Sequence, residues 1–146
     1  CLKKELSNNI KSYFDRINNN NNYNINSDVK YIALEGCCDE LYFDSFLIQR
    51  YIKAHGKYVY HDDSSIEPEN NKYRILTYIW YLNDVELGGE TEFYGGEIKI
   101  NPQVGKLLLF PATWTFPHKG CVPLSDNKYI ITGWVYSKIS FKEWHK

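Results

Sequence analysis

His61, Asp63, His118 and Lys128 are the residues of this chain whose types and spacing could do chemistry. Two imidazoles and one carboxylate can hold a divalent metal on one face and leave its other coordination positions open. On an extended strand side chains repeat every two residues, so His61 and Asp63 point to one side and Asp62 to the other. That parity selects Asp63. A third ligand must arrive from a distant strand, and among the remaining histidines His118 has the best context, because His55 lies in a turn-like stretch and His145 beside the C-terminal end. Lys128 opens a segment otherwise apolar on its face (Ile130, Trp134), where an ammonium is costly to bury without an anionic partner. Its job would be to grip an acidic co-substrate. A single His-x-Asp pair is common in surface turns and ion pairs, and most lysines are solvated. Only the order of the whole set singles these residues out.

Segments of β type must position them. From Tyr31 onward short apolar stretches alternate with turn signals such as Gly56, residues 67–71, Gly88 with Gly89, Gly105 and residues 125–127. This spacing predicts a mainly β sandwich or barrel of short antiparallel strands. Residues 73–83 form the clearest strand, with Tyr73, Ile75, Thr77, Ile79 and Tyr81 on one face and Arg74, Leu76, Tyr78, Trp80 and Leu82 on the other. Both faces are largely apolar, which places this strand in the middle of a sheet. By the same parity Arg74 faces away from Tyr81. Residues 128–136 split likewise, grouping Lys128, Ile130, Thr132, Trp134 and Tyr136. Ahead of them Leu2 to Ile17 reads as an amphipathic helix, with apolar residues three and four apart, ended by an asparagine-rich loop from Asn18 to Asn22.

At 146 residues the chain has the size of one domain, expected as a flanking helix and loop over residues 1–30 and a core over 31–146. Its net charge is −1 with no basic stripe, so there is no clear nucleic-acid signal. No stretch approaches the roughly 18 apolar residues of a membrane span, and a soluble protein is expected. Cys1, Cys37, Cys38 and Cys121 are too few and too badly placed for a disulfide framework, which favours a reduced, intracellular setting. The chain opens on Cys1 and contains no Met, as an excised chain with residues missing upstream would.

The text from Ile48 to Trp134 resembles the prolyl 4-hydroxylase-like branch of the Fe(II)/2-oxoglutarate-dependent dioxygenases, in particular the compact members of phages and large DNA viruses. The resemblance is carried by seven blocks in the family's order, among them Tyr58-Val59-Tyr60-His61-Asp62-Asp63, Gly88-Gly89-Glu90-Thr91-Glu92-Phe93, His118-Lys119-Gly120 and Lys128-Tyr129-Ile130-Ile131-Thr132-Gly133-Trp134. It implies a double-stranded β-helix, or jelly roll, with an N-terminal flanking helix. It further implies His61, Asp63 and His118 as iron ligands, Lys128 as the partner of the distal carboxylate of 2-oxoglutarate, and Tyr51 and Tyr81 as helpers of that carboxylate. Thr132 and Trp134 match wall positions of the same pocket.

The implied activity is hydroxylation of a prolyl or other side chain in a protein or peptide, with Fe(II), O2 and 2-oxoglutarate, and with ascorbate as an accessory reductant. Two alternatives stay open at this level. One is a non-catalytic jelly-roll module that binds a ligand or partner, which would not need the three ligands together. The other is a metal enzyme without a 2-oxo acid, against which Lys128 argues.

Overall fold

The structure is a computed structural model that describes residues 2–19, 41–43 and 46–138. It divides into two compact units, Cys1–Leu41 and Tyr42–Lys146. The loop beyond Asn19, Cys1, Cys37, Cys38, the stretch from Tyr31 to Gly36 and His145 lie outside the described residues.

In the first unit one helix, α1, spans Leu2–Asn19. Glu5 in its first turn and Arg16 in its last suit the helix dipole, and the Asn9 side-chain amide donates to the Glu5 carbonyl at 2.9 Å. Leu6 and Ile10, four apart on the apolar stripe, are buried. The helix continues through Asn18 and Asn19, where the sequence suggested a break. The residues that weaken a helix interior are tolerated in its last turn.

Among its described residues the second unit has ten strands: β1 (Tyr42–Phe43), β2 (Leu47–Tyr51), β3 (Tyr58–His61), β4 (Ile66–Glu67), β5 (Lys72–Tyr81), β6 (Thr91–Phe93), β7 (Ile98–Ile100), β8 (Leu107–Pro111), β9 (His118–Gly120) and β10 (Lys128–Lys138). All pairings between them are antiparallel. They form a six-stranded sheet and a four-stranded sheet in the order β3-β9-β6-β7. In the larger sheet β10 and β5 are the inner strands, β1 and β2 lie along the outer edge of β10, and β8 and β4 lie along the outer edge of β5. The doubly apolar pattern of β5 is thus that of an inner strand, and its last six residues are buried.

The sheets meet over a core of Tyr51, Ile79, Tyr81, Phe93, Phe110 and Ile130. Phe93 of the smaller sheet packs edge-on against Phe110 of the larger, ring centroids 5.0 Å apart, an aromatic contact worth about 1 kcal/mol beyond its buried area. This contact borders the site, for His118 stands 4.8 Å from Phe110 and 5.5 Å from Phe93, centroid to centroid.

Candidate metal and co-substrate site

His61 ends β3 and His118 opens β9, and the two are register partners, so their rings meet at a centroid distance of 4.3 Å. Asp63, two residues on, brings Oδ1 to 3.7 Å from His61 Nε2 and Oδ2 to 3.5 Å from His118 Nε2. One ligand atom from each of the three lies within 4.8 Å of the other two, a spacing that a single ion can bridge.

The ring orientations are set from behind. His61 Nδ1 lies 2.8 Å from the carbonyl of Val59 and His118 Nδ1 lies 3.1 Å from that of Phe116, each two residues back along the chain. A carbonyl only accepts, so each Nδ1 carries the proton and each Nε2 keeps its lone pair for the metal side. Burial pushes the His118 pKa down, against the opposing pull of the Phe116 carbonyl and Asp63, which favours the neutral ligand form. Thr77 on β5 donates its hydroxyl to Asp63 Oδ2 at 2.6 Å, orienting the carboxylate from the opposite sheet. Two neutral imidazoles and one hydrogen-bonded carboxylate fit a ferrous ion with open positions. Asp62 is exposed on the other side, where Ser64 donates to its carboxylate.

Lys128, at the start of β10, is only 1% exposed. Its Nζ donates to the Gly89 carbonyl at 2.8 Å and stands 3.9 Å from the centroid of the Tyr51 ring. Gly89 adopts φ +75°, a conformation that favours glycine, so the Gly88–Gly89 turn serves the site by aiming this carbonyl. Among the described residues no carboxylate pairs with Lys128. Burial therefore pushes its pKa down to about 8, with Cys121 and Glu90 pulling the other way.

A cavity open to solvent joins the two halves; His61, Asp63 and His118 line it together with Lys128, Thr132 and Trp134. Tyr51 lines it too and donates to Gln49 Oε1 at 3.0 Å. Tyr81 is 1% exposed, and its hydroxyl lies 2.7 Å from that of Thr91, a lining residue. Burial raises the pKa of both tyrosines to about 12, so they remain neutral donors. The Thr132 hydroxyl is committed to the Tyr78 carbonyl at 2.9 Å. His55 is exposed in the turn after β2.

Parity failed at two irregularities. Between β5 and β10 the pairs Leu76↔Val135 and Arg74↔Tyr136 leave Ile75 as an extra residue. Arg74 is thereby turned to the face of Trp134, with its guanidinium carbon 3.6 Å from the ring centroid and Nη1 3.4 Å from the Asp63 carbonyl, not away from the site as alternation predicted. Among the described residues, the buried Arg74 Nε and Trp134 Nε1 have no acceptor. Between β3 and β9, Tyr58↔Gly120 and His61↔His118 set three steps against two, so Tyr58 shares the face of His61 at a centroid distance of 4.4 Å. Neither bulge has a signal in the residue types. Thr77 was readable, since alternation already placed it on the face of Ile79 and Tyr81.

Comparison with known proteins agrees with this architecture. The chain is 31% identical over 108 residues to "Probable prolyl 4-hydroxylase 10" of Arabidopsis thaliana, an alignment covering 54% of this chain and 37% of that protein, so the chain spans little over a third of that relative. Among solved structures it is similar to the viral collagen prolyl hydroxylase of Paramecium Bursaria Chlorella virus-1 in its 2OG complex, with TM-score 0.61 and 22% identity over 91% of this chain and 73% of that one. A Trichoplax adhaerens prolyl hydroxylase in complex with a hypoxia inducible factor peptide fragment gives TM-score 0.52 and 26% identity over 65% of this chain and 46% of that one. The fold is accordingly the jelly roll expected from the sequence. Residues 46–136 match the family model described as the 2OG-Fe(II) oxygenase superfamily, and the chain belongs to that family.

Proposed function

We propose that this chain is an Fe(II)- and 2-oxoglutarate-dependent hydroxylase acting on a prolyl or other side chain of a protein or peptide. The observation that carries the reading is the pairing, in one cavity, of a preset His61-Asp63-His118 cluster with a buried lysine that has no carboxylate partner among the described residues. Ferrous iron bound there with O2 supplies the oxidising power: 2-oxoglutarate is converted to succinate and CO2 while one oxygen atom enters a C–H bond of the substrate.

The chain's own residues position and shield that chemistry. His61, Asp63 and His118 hold the metal, and the carbonyls of Val59 and Phe116 with the Thr77 hydroxyl keep the donors aimed. Lys128 neutralises the far carboxylate of the co-substrate, with Tyr51 beside it. Arg74, half-buried and stacked on the ring of Trp134 at the cavity wall, offers guanidinium N–H groups that suit the backbone carbonyls of an extended peptide. The Trichoplax relative, whose structure holds a peptide fragment, supports a peptide substrate.

The test is spectroscopic. Purified protein given Fe(II) and 2-oxoglutarate without oxygen should develop the visible charge-transfer band of the chelate, and His61→Ala, Asp63→Ala and His118→Ala should each abolish it. Folded, metal-loaded protein that shows no band ends this reading. Succinate release with proline-containing peptides, with and without ascorbate, then addresses substrate and reductant.

A further inference from the structure

We propose that Glu92 is a positioning residue that sets, from the back of the four-stranded sheet, how the two imidazole ligands face each other. This inference rests on the metal reading of His61 and His118. Glu92 lies on β6 between Thr91 and Phe93, and its side chain is only 8% exposed. On β9 its register partner is Lys119, and on β7 it is Lys99. Oε1 accepts from Lys119 Nζ at 2.9 Å and from the Tyr60 hydroxyl at 2.7 Å. Oε2 stands 3.6 Å from Lys99 Nζ and 3.6 Å from the Cys121 thiol. From β6, one carboxylate thus gathers groups from the other three strands of the sheet and from Cys121 just beyond β9.

The two close donors are the chain neighbours of the ligands. Tyr60 immediately precedes His61, and Lys119 immediately follows His118. Because neighbouring strand residues point to opposite faces, the imidazoles enter the cavity while Tyr60 and Lys119 turn to the back, where Lys119 Nζ also stands 5.0 Å from the Tyr60 ring centroid. Tyr60 lies within the β3–β9 irregularity, between the pairs Tyr58↔Gly120 and His61↔His118. There the regular backbone ladder is interrupted, and a bulge leaves an unpaired residue free to twist. The phenol–carboxylate hydrogen bond reaches across β9 and pins the bulge one residue before the ligand. Glu92 therefore touches neither imidazole but governs the backbone that aims both.

Co(II) titration is the test, because Co(II) accepts nitrogen and oxygen donors and its visible bands report their geometry. Glu92→Gln and the milder Tyr60→Phe, which removes one hydroxyl from a half-exposed ring, should each weaken Co(II) binding, by roughly tenfold for Glu92→Gln, and alter the band shape. Lys99→Ala, which removes a partner of the same carboxylate that is not adjacent to any ligand, should leave Co(II) affinity and spectrum as in the parent protein. A merely structural role would lower the unfolding midpoint of Glu92→Gln while folded Glu92→Gln and Tyr60→Phe proteins bind Co(II) like the parent, and that result overturns the inference alone. Absence of His61-dependent Co(II) binding in the parent protein overturns the metal reading and this inference with it.

Discussion

Lys128 and Tyr51 are register partners across β10 and β2, and the lysine ammonium stands 3.9 Å from the centroid of the tyrosine ring. The π face and the Gly89 carbonyl partly stabilise the charge, but neither neutralises it. A buried cation held this way is prepared for a carboxylate. Lys128→Ala should weaken 2-oxoglutarate binding by about 2 kcal/mol or more, roughly 30-fold, measured by anaerobic titration of the charge-transfer band. Unchanged affinity would remove Lys128 from the co-substrate site.

The same lysine predicts a pH dependence. Its pKa in the free protein is about 8, below the ordinary 10.5, so the folded state releases a proton that the unfolded chain keeps between those values. Stability of the free protein should then rise with pH from about 8 to 10.5, and the added increment should be lost as pH falls back through 8. Co-substrate binding needs the charged form and should run the other way, with affinity level below pH 8 and falling above it. Urea midpoints and 2-oxoglutarate titrations across this range, with Lys128→Met as control, would show both trends.

Gly120 is the close approach behind this arrangement. A Cβ built there would lie 2.9 Å from Tyr51 Cε1, so Gly120→Ala must shift the ring that flanks Lys128. The expected result is a loss of about 1–3 kcal/mol in urea unfolding together with weaker 2-oxoglutarate binding. A stability loss with unchanged binding would show that the ring position is irrelevant to the co-substrate.

Glu92 should register in acid. Lys119 and Tyr60 hold its carboxyl at about 2, well below the ordinary 4.5, with burial, Lys99 and Cys121 as the other surroundings. A depressed carboxylate pKa contributes stability that is present above 4.5 and lost as pH falls toward 2. Unfolding midpoints measured down this range should fall less steeply in Glu92→Gln than in the parent protein.

Arg74→Ala should raise the KM for a proline-containing peptide by roughly tenfold, as expected for losing a hydrogen bond from a charged donor, while 2-oxoglutarate affinity stays the same. The check is steady-state succinate release at saturating 2-oxoglutarate. Equal KM values would limit Arg74 to its contacts with Trp134 and the Asp63 carbonyl.

The clustering of His61 with Asp63 was readable because strand alternation is local: His61, Asp62 and Asp63 sort themselves by parity within three residues. The inner position of β5 followed from its two apolar faces, and the identity of the buried lysine from the apolar company of Lys128. These properties belong to residue types and to a period of two. Arg74 and Tyr58 escaped because alternation holds only while a ladder is regular, and each lies at the edge of a bulge.

The sequence by itself thus determined the β architecture, the family and the members of the His61-Asp63-His118 cluster. Tertiary structure alone decided which side chains share a wall with the metal cluster. A bulge arises from pairing between strands far apart in the chain, so Ile75 against β10 and the step before His61 against β9 leave no mark on either strand alone. The same holds for Glu92, an ordinary strand carboxylate until the three other strands of its sheet bring Tyr60, Lys119, Lys99 and Cys121 around it.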